Sequence, residues 1–153
     1  MEVIVFIGIQ ATGKSTFYQR RFSNTHIRLN LDMLKTRHRE RILTRACLEA
    51  KQPFVIDNTN VTREARAKYI EEARAAGVSV TGYYFKSDLQ AAIERNNQRS
   101  GKAQIPVKGL IAMHGKLEAP SYDEGFDRLF YVEIGESGEF LVKEWSDLDS
   151  GLG

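Results

Sequence analysis

The chain has 153 residues, 42% hydrophobic and 27% charged, enough for one domain with a sizeable core. That composition excludes a disordered or collagen-like chain, and a net charge of +2 does not by itself announce a nucleic-acid binder, so any basic surface has to be local. With one cysteine, Cys47, an internal disulfide is excluded. No apolar run reaches the 18 residues that a membrane span needs. The expected partners therefore exclude a membrane, and a homo-oligomer stays open.

Val3 to Ile7 is apolar and rich in β-branched residues, and reads as a buried first strand. The N-terminus enters it directly without a basic stretch or cleavage site, so no secretion signal is read and the cytoplasm is the expected compartment. Next comes Gly8-Ile9-Gln10-Ala11-Thr12-Gly13-Lys14-Ser15-Thr16, a G-x-x-x-x-G-K-S loop opening onto a helix. Strand, glycine loop and helix together make the setting in which this motif cradles phosphate. The glycines turn the backbone so that amide N–H groups point at phosphate oxygens, and the helix adds its positive end. Gly8, Ala11, Thr12, Gly13, Lys14, Ser15 and Thr16 are thus the expected nucleotide-binding residues. Lys14 is placed to bridge the β- and γ-phosphates, Ser15 to ligate Mg²⁺ and Thr16 to reach the α-phosphate. The bland alternative is a strand-to-helix turn with an exposed lysine.

His26 to Leu31 alternates polar and apolar and reads as a second strand, closed by Asp32. Two roles fit Asp32: a general base for an attacking hydroxyl, or the N-cap of the next helix. A helix is expected over Met33–Ala50, its stripe made by Leu34, His38, Ile42, Leu43, Ala46, Cys47 and Ala50. On it, Lys35 and Arg39 share the face of Asp32 and could guide a phosphate-bearing substrate. The competing reading is a solvated face of mixed charge that includes Glu40 and Glu49. Cys47 is expected to pack rather than react.

Phe54-Val55-Ile56 is a third, buried strand ending at Asp57. An aspartate there is either a second anchor for Mg²⁺ and neighbouring groups, or a turn former in Asp57-Asn58-Thr59-Asn60. A helix from Thr62 stops at Gly77, and Val78–Phe85 is the fourth strand, with Tyr83, Tyr84 and Phe85 read as core. Asp88 caps a helix reaching about Arg99. Arg95 and Arg99 lie on one face of it, leading into a polar loop, Ser100–Ile105. They are either lid arginines that close over a triphosphate or a solvated pair. Pro106 opens another helix to about Leu117, Leu129–Ile134 is a fifth strand, and Gly135–Gly138 turns the chain into Phe140–Val142, an antiparallel edge strand. A tail from residue 146 is expected to be loose. His26, His38 and His114 show no metal-ligand spacing. The alternation of elements predicts an α/β fold: a mostly parallel five-stranded sheet sandwiched by helices, with residues 1–145 as one domain.

The phosphate loop, the Asp32 segment, Phe54–Asn60, Arg66-x-x-Tyr69-Ile70, Ala73–Val78, Glu94-Arg95-Asn96-Asn97-x-Arg99, Ile105-Pro106 and Glu124-Gly125-Phe126 together resemble the kinase domain of the 5′-polynucleotide kinases, over about residues 1–134. The resemblance implies a phosphate-loop kinase that uses ATP (or another nucleoside triphosphate) and Mg²⁺ to phosphorylate a 5′-hydroxyl end of DNA or RNA. It implies Asp32 as general base, Lys14 and Ser15 as phosphate and magnesium residues, Arg95 and Arg99 as lid arginines, and Asp57 as an acidic active-site residue. Two departures stand out. Lys35 lies where the family has a forked arginine for the substrate's phosphate, and Arg28 and Asn30 differ from the usual arginine beside the base. A kinase for a small-molecule hydroxyl, or a nucleotide-binding switch, are the competing functions.

Overall fold

A computed structural model describes residues 1–101 and 104–146. One six-stranded sheet runs through it in the order β2-β3-β1-β4-β5-β6. The strands are β1 (Glu2–Ile7), β2 (Ile27–Leu29), β3 (Phe54–Ile56), β4 (Ser79–Phe85), β5 (Arg128–Ile134) and β6 (Phe140–Glu144). The first five pair in parallel, and β6 returns antiparallel on β5, through the turn in which the Gly138 N–H donates to the Gly135 carbonyl. The expected α/β architecture is present, with the edge strand as its sixth member. The tail from residue 147 and residues 102–103 of the expected loop lie outside the described residues.

Side chains alternate across a strand, so β1 feeds both faces. Ile4 and Phe6 point to the face covered by α1 (Lys14–Arg21), where Phe17, Phe22, Tyr83 and Phe85 pack in edge-to-face and tilted pairs at centroid distances of 5.0–6.1 Å. Val3, Val5 and Ile7 point to the other face, with Tyr69, Ile70 and Ala73 of α4 (Arg63–Ala75) and Cys47 of α3 (Arg37–Ala50). Each fully buried apolar side chain contributes about 1.5–3 kcal/mol. Cys47 is buried, and burial raises its thiol pKa, in keeping with packing.

The expected helix over Met33–Ala50 is two helices. Short α2 (Leu31–Leu34) ends at Lys35, whose φ of 75° lies in the left-handed region, and α3 restarts with Thr36 as N-cap, its side chain accepting from the Arg39 N–H. The break resets the phase. Ile42 and Leu43 of the expected stripe are exposed, and the buried face is Glu40, Thr44 and Cys47. Glu40 can be buried because it is paired: it accepts from Arg37 (3.1 Å), the Tyr69 hydroxyl (2.9 Å) and Asn58 (3.0 Å). α4 ends as expected at Gly77, φ 70°, with Val78 N–H to the Ala73 carbonyl and Gly77 N–H to the Arg74 carbonyl.

The loop after β3 is fixed by Arg66, which has no solvent exposure. Its guanidinium meets Glu124 through two bonds, 2.8 and 3.1 Å, and donates to the carbonyls of Asn60 and Glu118. Removing it takes away the two-bond partner of the buried Glu124 carboxylate, leaving it only the Ser121 N–H at 3.0 Å and the more distant Arg63 at 3.9 Å. Arg66→Ala is expected to cost about 3–5 kcal/mol in urea unfolding; a loss below about 1 kcal/mol would show that the pair does not hold the loop.

Candidate active site

The carboxyl ends of parallel strands carry the ligands of open α/β sheets, and β1, β2 and β3 all end at one cleft of about 480 Å³. Its floor is the loop between β1 and α1. Ala11 (φ 63°) and Gly13 (φ 94°) take left-handed conformations that curl the backbone around a concavity. A Cβ at Gly13 would sit 3.0 Å from the Phe140 ring and 3.2 Å from Ile134, so the β5–β6 hairpin backs the loop closely, and the φ of 94° is one that favours glycine. The loop is sutured on two more sides: Gly8 N–H donates to the Thr59 carbonyl, and Ile9 N–H to the Ser87 hydroxyl at 3.2 Å. Thr12 is buried and braces the loop through its hydroxyl to the Ile9 carbonyl at 2.8 Å. Gln10, Ala11, Gly13, Lys14, Ser15 and Thr16 line the cleft itself.

Lys14 folds its ammonium back onto the carbonyls of Gly8 (2.9 Å) and Ile9 (2.7 Å). Burial pulls its pKa down to about 8; Asp57 and Asp32 act to raise it, and Arg99 to lower it further. The unfolded chain therefore binds more protons than the fold between pH 8 and 10.5, and this group's contribution to stability rises with pH across that window. A nucleotide's phosphates favour the ammonium, so above pH 8 nucleotide binding should take up a proton. At pH 8.5 calorimetry in buffers of different ionisation heat should show uptake of about 0.8 proton per nucleotide. No uptake at that pH would mean Lys14 keeps an ordinary pKa.

Asp32 lies in α2 and lines the cleft with Lys14, Ser15 and Arg99. It is not the helix cap. Asn30 has that role, its side-chain oxygen accepting from the Met33 N–H at 3.1 Å while its amide donates to the Asp57 carbonyl at 2.6 Å. Asn58 takes the Leu31 N–H at 3.0 Å, so the carboxylate-bearing turn is pinned to the end of β3 from two sides. Asp57 is 2% exposed, accepts from the Ser15 hydroxyl at 3.2 Å and pairs with Arg28 at 2.7 Å.

Arg95 and Arg99 come from α5 (Leu89–Asn97) and the residues just after it. Arg95 donates to the Ala11 carbonyl at 2.8 Å, across the top of the loop. Arg99 lines the cleft, and its charge reaches Lys14. Buried Asn96 exchanges two bonds with the Ile105 backbone, 2.6 and 2.9 Å. Lys35 and Arg39 do not line the cleft: the break at Lys35 ends the shared face, and Arg39 turns back to the Leu34 carbonyl at 3.1 Å. Besides Lys14 and Arg99, the basic side chains lining the cleft are Arg37, first residue of α3, and Lys116, at the end of α6 (Val107–Lys116). Thr36 as an N-cap was the available signal for Arg37; Lys116 and Arg28 carried none.

Ser15 hydroxyl and Asp57 carboxylate are hard oxygen donors of the kind Mg²⁺ takes, and the pair already attracts a cationic guanidinium, so the residues fit that ion. Among the described residues no group of three or more His, Cys, Asp or Glu could hold a metal by itself. A cation here would lean on the nucleotide's phosphates, as Mg²⁺ commonly does.

This strand order, with a phosphate loop after β1 and arginines above it, defines a nucleotide-binding phosphate-loop kinase fold. The chain belongs to the AAA domain family, whose model matches residues 3–120. It is 27% identical over 129 residues to the bifunctional polynucleotide phosphatase/kinase of Schizosaccharomyces pombe, covering 82% of this chain and 32% of that protein. It is 25% identical over 145 residues to the L-seryl-tRNA(Sec) kinase of Methanococcus maripaludis, covering 82% of this chain and 56% of that one. The chain thus spans about a third and just over half of these curated relatives. Among solved structures, a gluconokinase from Sinorhizobium meliloti 1021 superposes with a TM-score of 0.62 at 20% identity, covering 88% of this chain and 83% of that one. Kti12 of Chaetomium thermophilum, in complex with ADP-AlF3, superposes at 0.63 and 16% identity, covering 89% and 92%. These structural likenesses show the fold. No helix among the described residues is long and apolar enough to cross a membrane.

Proposed function

We propose that residues 1–145 form a kinase domain that transfers the γ-phosphoryl group of ATP to a 5′-hydroxyl end of DNA or RNA. The observation that carries this reading is the meeting of Asp32, Lys14 and Arg99 in one cleft, with Arg37 on its wall. A pure nucleotide switch needs no carboxylate opposite the phosphate cradle. The sequence relation to the fission-yeast polynucleotide phosphatase/kinase supports the acceptor.

Asp32 accepts the proton of the acceptor hydroxyl as it attacks. Its position on a pinned turn keeps the carboxylate in place while its exposure leaves it open to an incoming chain end. Lys14 moves from the loop carbonyls to the transferring phosphates, and Arg95 and Arg99 take up the charge that builds on them. Ser15 and Asp57 would hold Mg²⁺, which would supply charge neutralisation to the nucleotide's phosphates. Arg37 and Lys116 offer the acceptor's own phosphates a positive wall.

The test is transfer of labelled phosphate from ATP to a 5′-hydroxyl oligonucleotide in Mg²⁺. The expected product carries a 5′-phosphate, and the same oligonucleotide already phosphorylated at that end gains none. ATP binding without transfer to either DNA or RNA would refute the proposed acceptor.

A further inference from the structure

Arg28 stands at the one place where the sequence offers no role for it. It leaves the middle of β2, and its Nε donates to Asp57 Oδ2 at 2.7 Å while Nη2 donates to Ser15 Oγ at 3.0 Å. Ser15 Oγ donates to the same Asp57 oxygen at 3.2 Å. The three groups close a triangle around the two side chains assigned to the divalent cation. Asp57 is buried, and a buried carboxylate needs a counter-charge; the Lys14 ammonium acts on it from a distance but bonds to loop carbonyls instead. Arg28 is the group that supplies the direct ion pair.

The same contact that holds the pair also occupies it. Ser15 Oγ has two lone pairs, and one already accepts from Arg28. The Asp57 oxygen bonded to Arg28 and Ser15 is the one nearest the loop hydroxyl. A cation that uses these oxygens meets a positive charge within hydrogen-bond distance of both. The Arg28 side chain is 27% exposed, so it has a route to water, whereas Asp57 is locked between Asn30 and β3 and cannot follow it. A guanidinium is weakly hydrated and so regains little from water on leaving a carboxylate, which makes its displacement a cost that metal binding has to meet.

We propose that Arg28 is an internal counter-cation: it keeps Ser15 and Asp57 oriented while no divalent ion is bound, and yields their oxygens when one binds with the nucleotide. Ion entry and Arg28 release are then one event, and Arg28 sets the affinity for the metal. This inference rests on the assignment of Ser15 and Asp57 to that ion.

The test measures Mn²⁺ affinity by electron paramagnetic resonance in the presence of saturating ADP, for the native chain, Arg28→Met and Asp57→Asn. Removing the competing charge should tighten Mn²⁺ binding in Arg28→Met about tenfold or more. Without metal the same variant should melt at a lower temperature, and Mn²⁺ should restore more stability to it than to the native chain. Unchanged or weaker Mn²⁺ binding by Arg28→Met, with Asp57→Asn still losing the ion, overturns the competition and leaves the cation site standing. Equal Mn²⁺ affinity in Asp57→Asn and the native chain removes the cation site itself and the inference with it. Should Arg28→Met fail to fold, the native chain is decisive: the Arg28 Nε–H should lose its protection from exchange on titration with Mg²⁺ and ADP. Protection that persists at saturation overturns the proposal.

Discussion

Asp32→Asn is expected to lower turnover by about 10²–10⁴ while nucleotide affinity changes little. The amide keeps the shape of the side chain and removes its capacity to take a proton. The fold should tolerate it, because the α2 cap is Asn30 and the turn is held by Asn58, not by the Asp32 carboxylate. Nucleotide binding rests on the loop backbone and Lys14, which the substitution does not touch. One secondary effect has a known sign. Asp32 acts to raise the Lys14 pKa, so its neutralisation should move the onset of proton uptake slightly below pH 8. Single-turnover rates with nucleotide titrations separate the two effects. A variant that retains near-native turnover would remove Asp32 from the role of base.

Arg99→Ala should cut the rate by about 10³ or more, since a guanidinium placed on a transferring phosphoryl group supplies 10³–10⁵ in related chemistry. Arg99 lies just beyond α5, where its N–H returns to the Asn96 carbonyl at 3.0 Å, and Asn96 is itself bonded to the Ile105 backbone. That anchoring gives the arginine a defined place at the cleft wall. The variant also relieves a positive neighbour of Lys14, so the Lys14 pKa should rise and nucleotide binding persist to higher pH than in the native chain. A rate loss with a binding curve shifted upward in pH would be specific to a charge near the phosphates. Native rates would return Arg99 to a solvated surface.

The parts of the molecule legible in the sequence were those encoded in a single stretch. Val3–Ser15 carries its own strand, turn and helix start, and Phe54–Asp57 is an apolar run with an acid at its end. Both appear where the spacing placed them. The helix after Asp32 reads as continuous because its stripe runs through Leu34, His38 and Ile42 without a glycine or proline. The left-handed turn at Lys35 breaks it all the same, and Thr36 was a sufficient cap. Glu40 looked like a solvent residue, since local periodicity cannot reveal that Tyr69 and Asn58, from two other segments, wait to pair with it. The same limit hid Arg28 and Lys116. Arg28 meets Ser15, and Lys116 reaches the cleft wall, only once β2, α6 and the phosphate loop come together, a tertiary fact that no window of sequence contains.

The acceptor decides the account. The most direct measurement is the ratio of kcat/KM for a 5′-hydroxyl oligonucleotide to that for the corresponding nucleoside, with ATP and Mg²⁺ held constant and salt kept low. If Arg37 and Lys116 engage acceptor phosphates beside Asp32, the oligonucleotide is preferred by about 10² or more, and the preference falls as salt rises. A ratio near one, or a preference for the nucleoside or another small hydroxyl that is indifferent to salt, would contradict it.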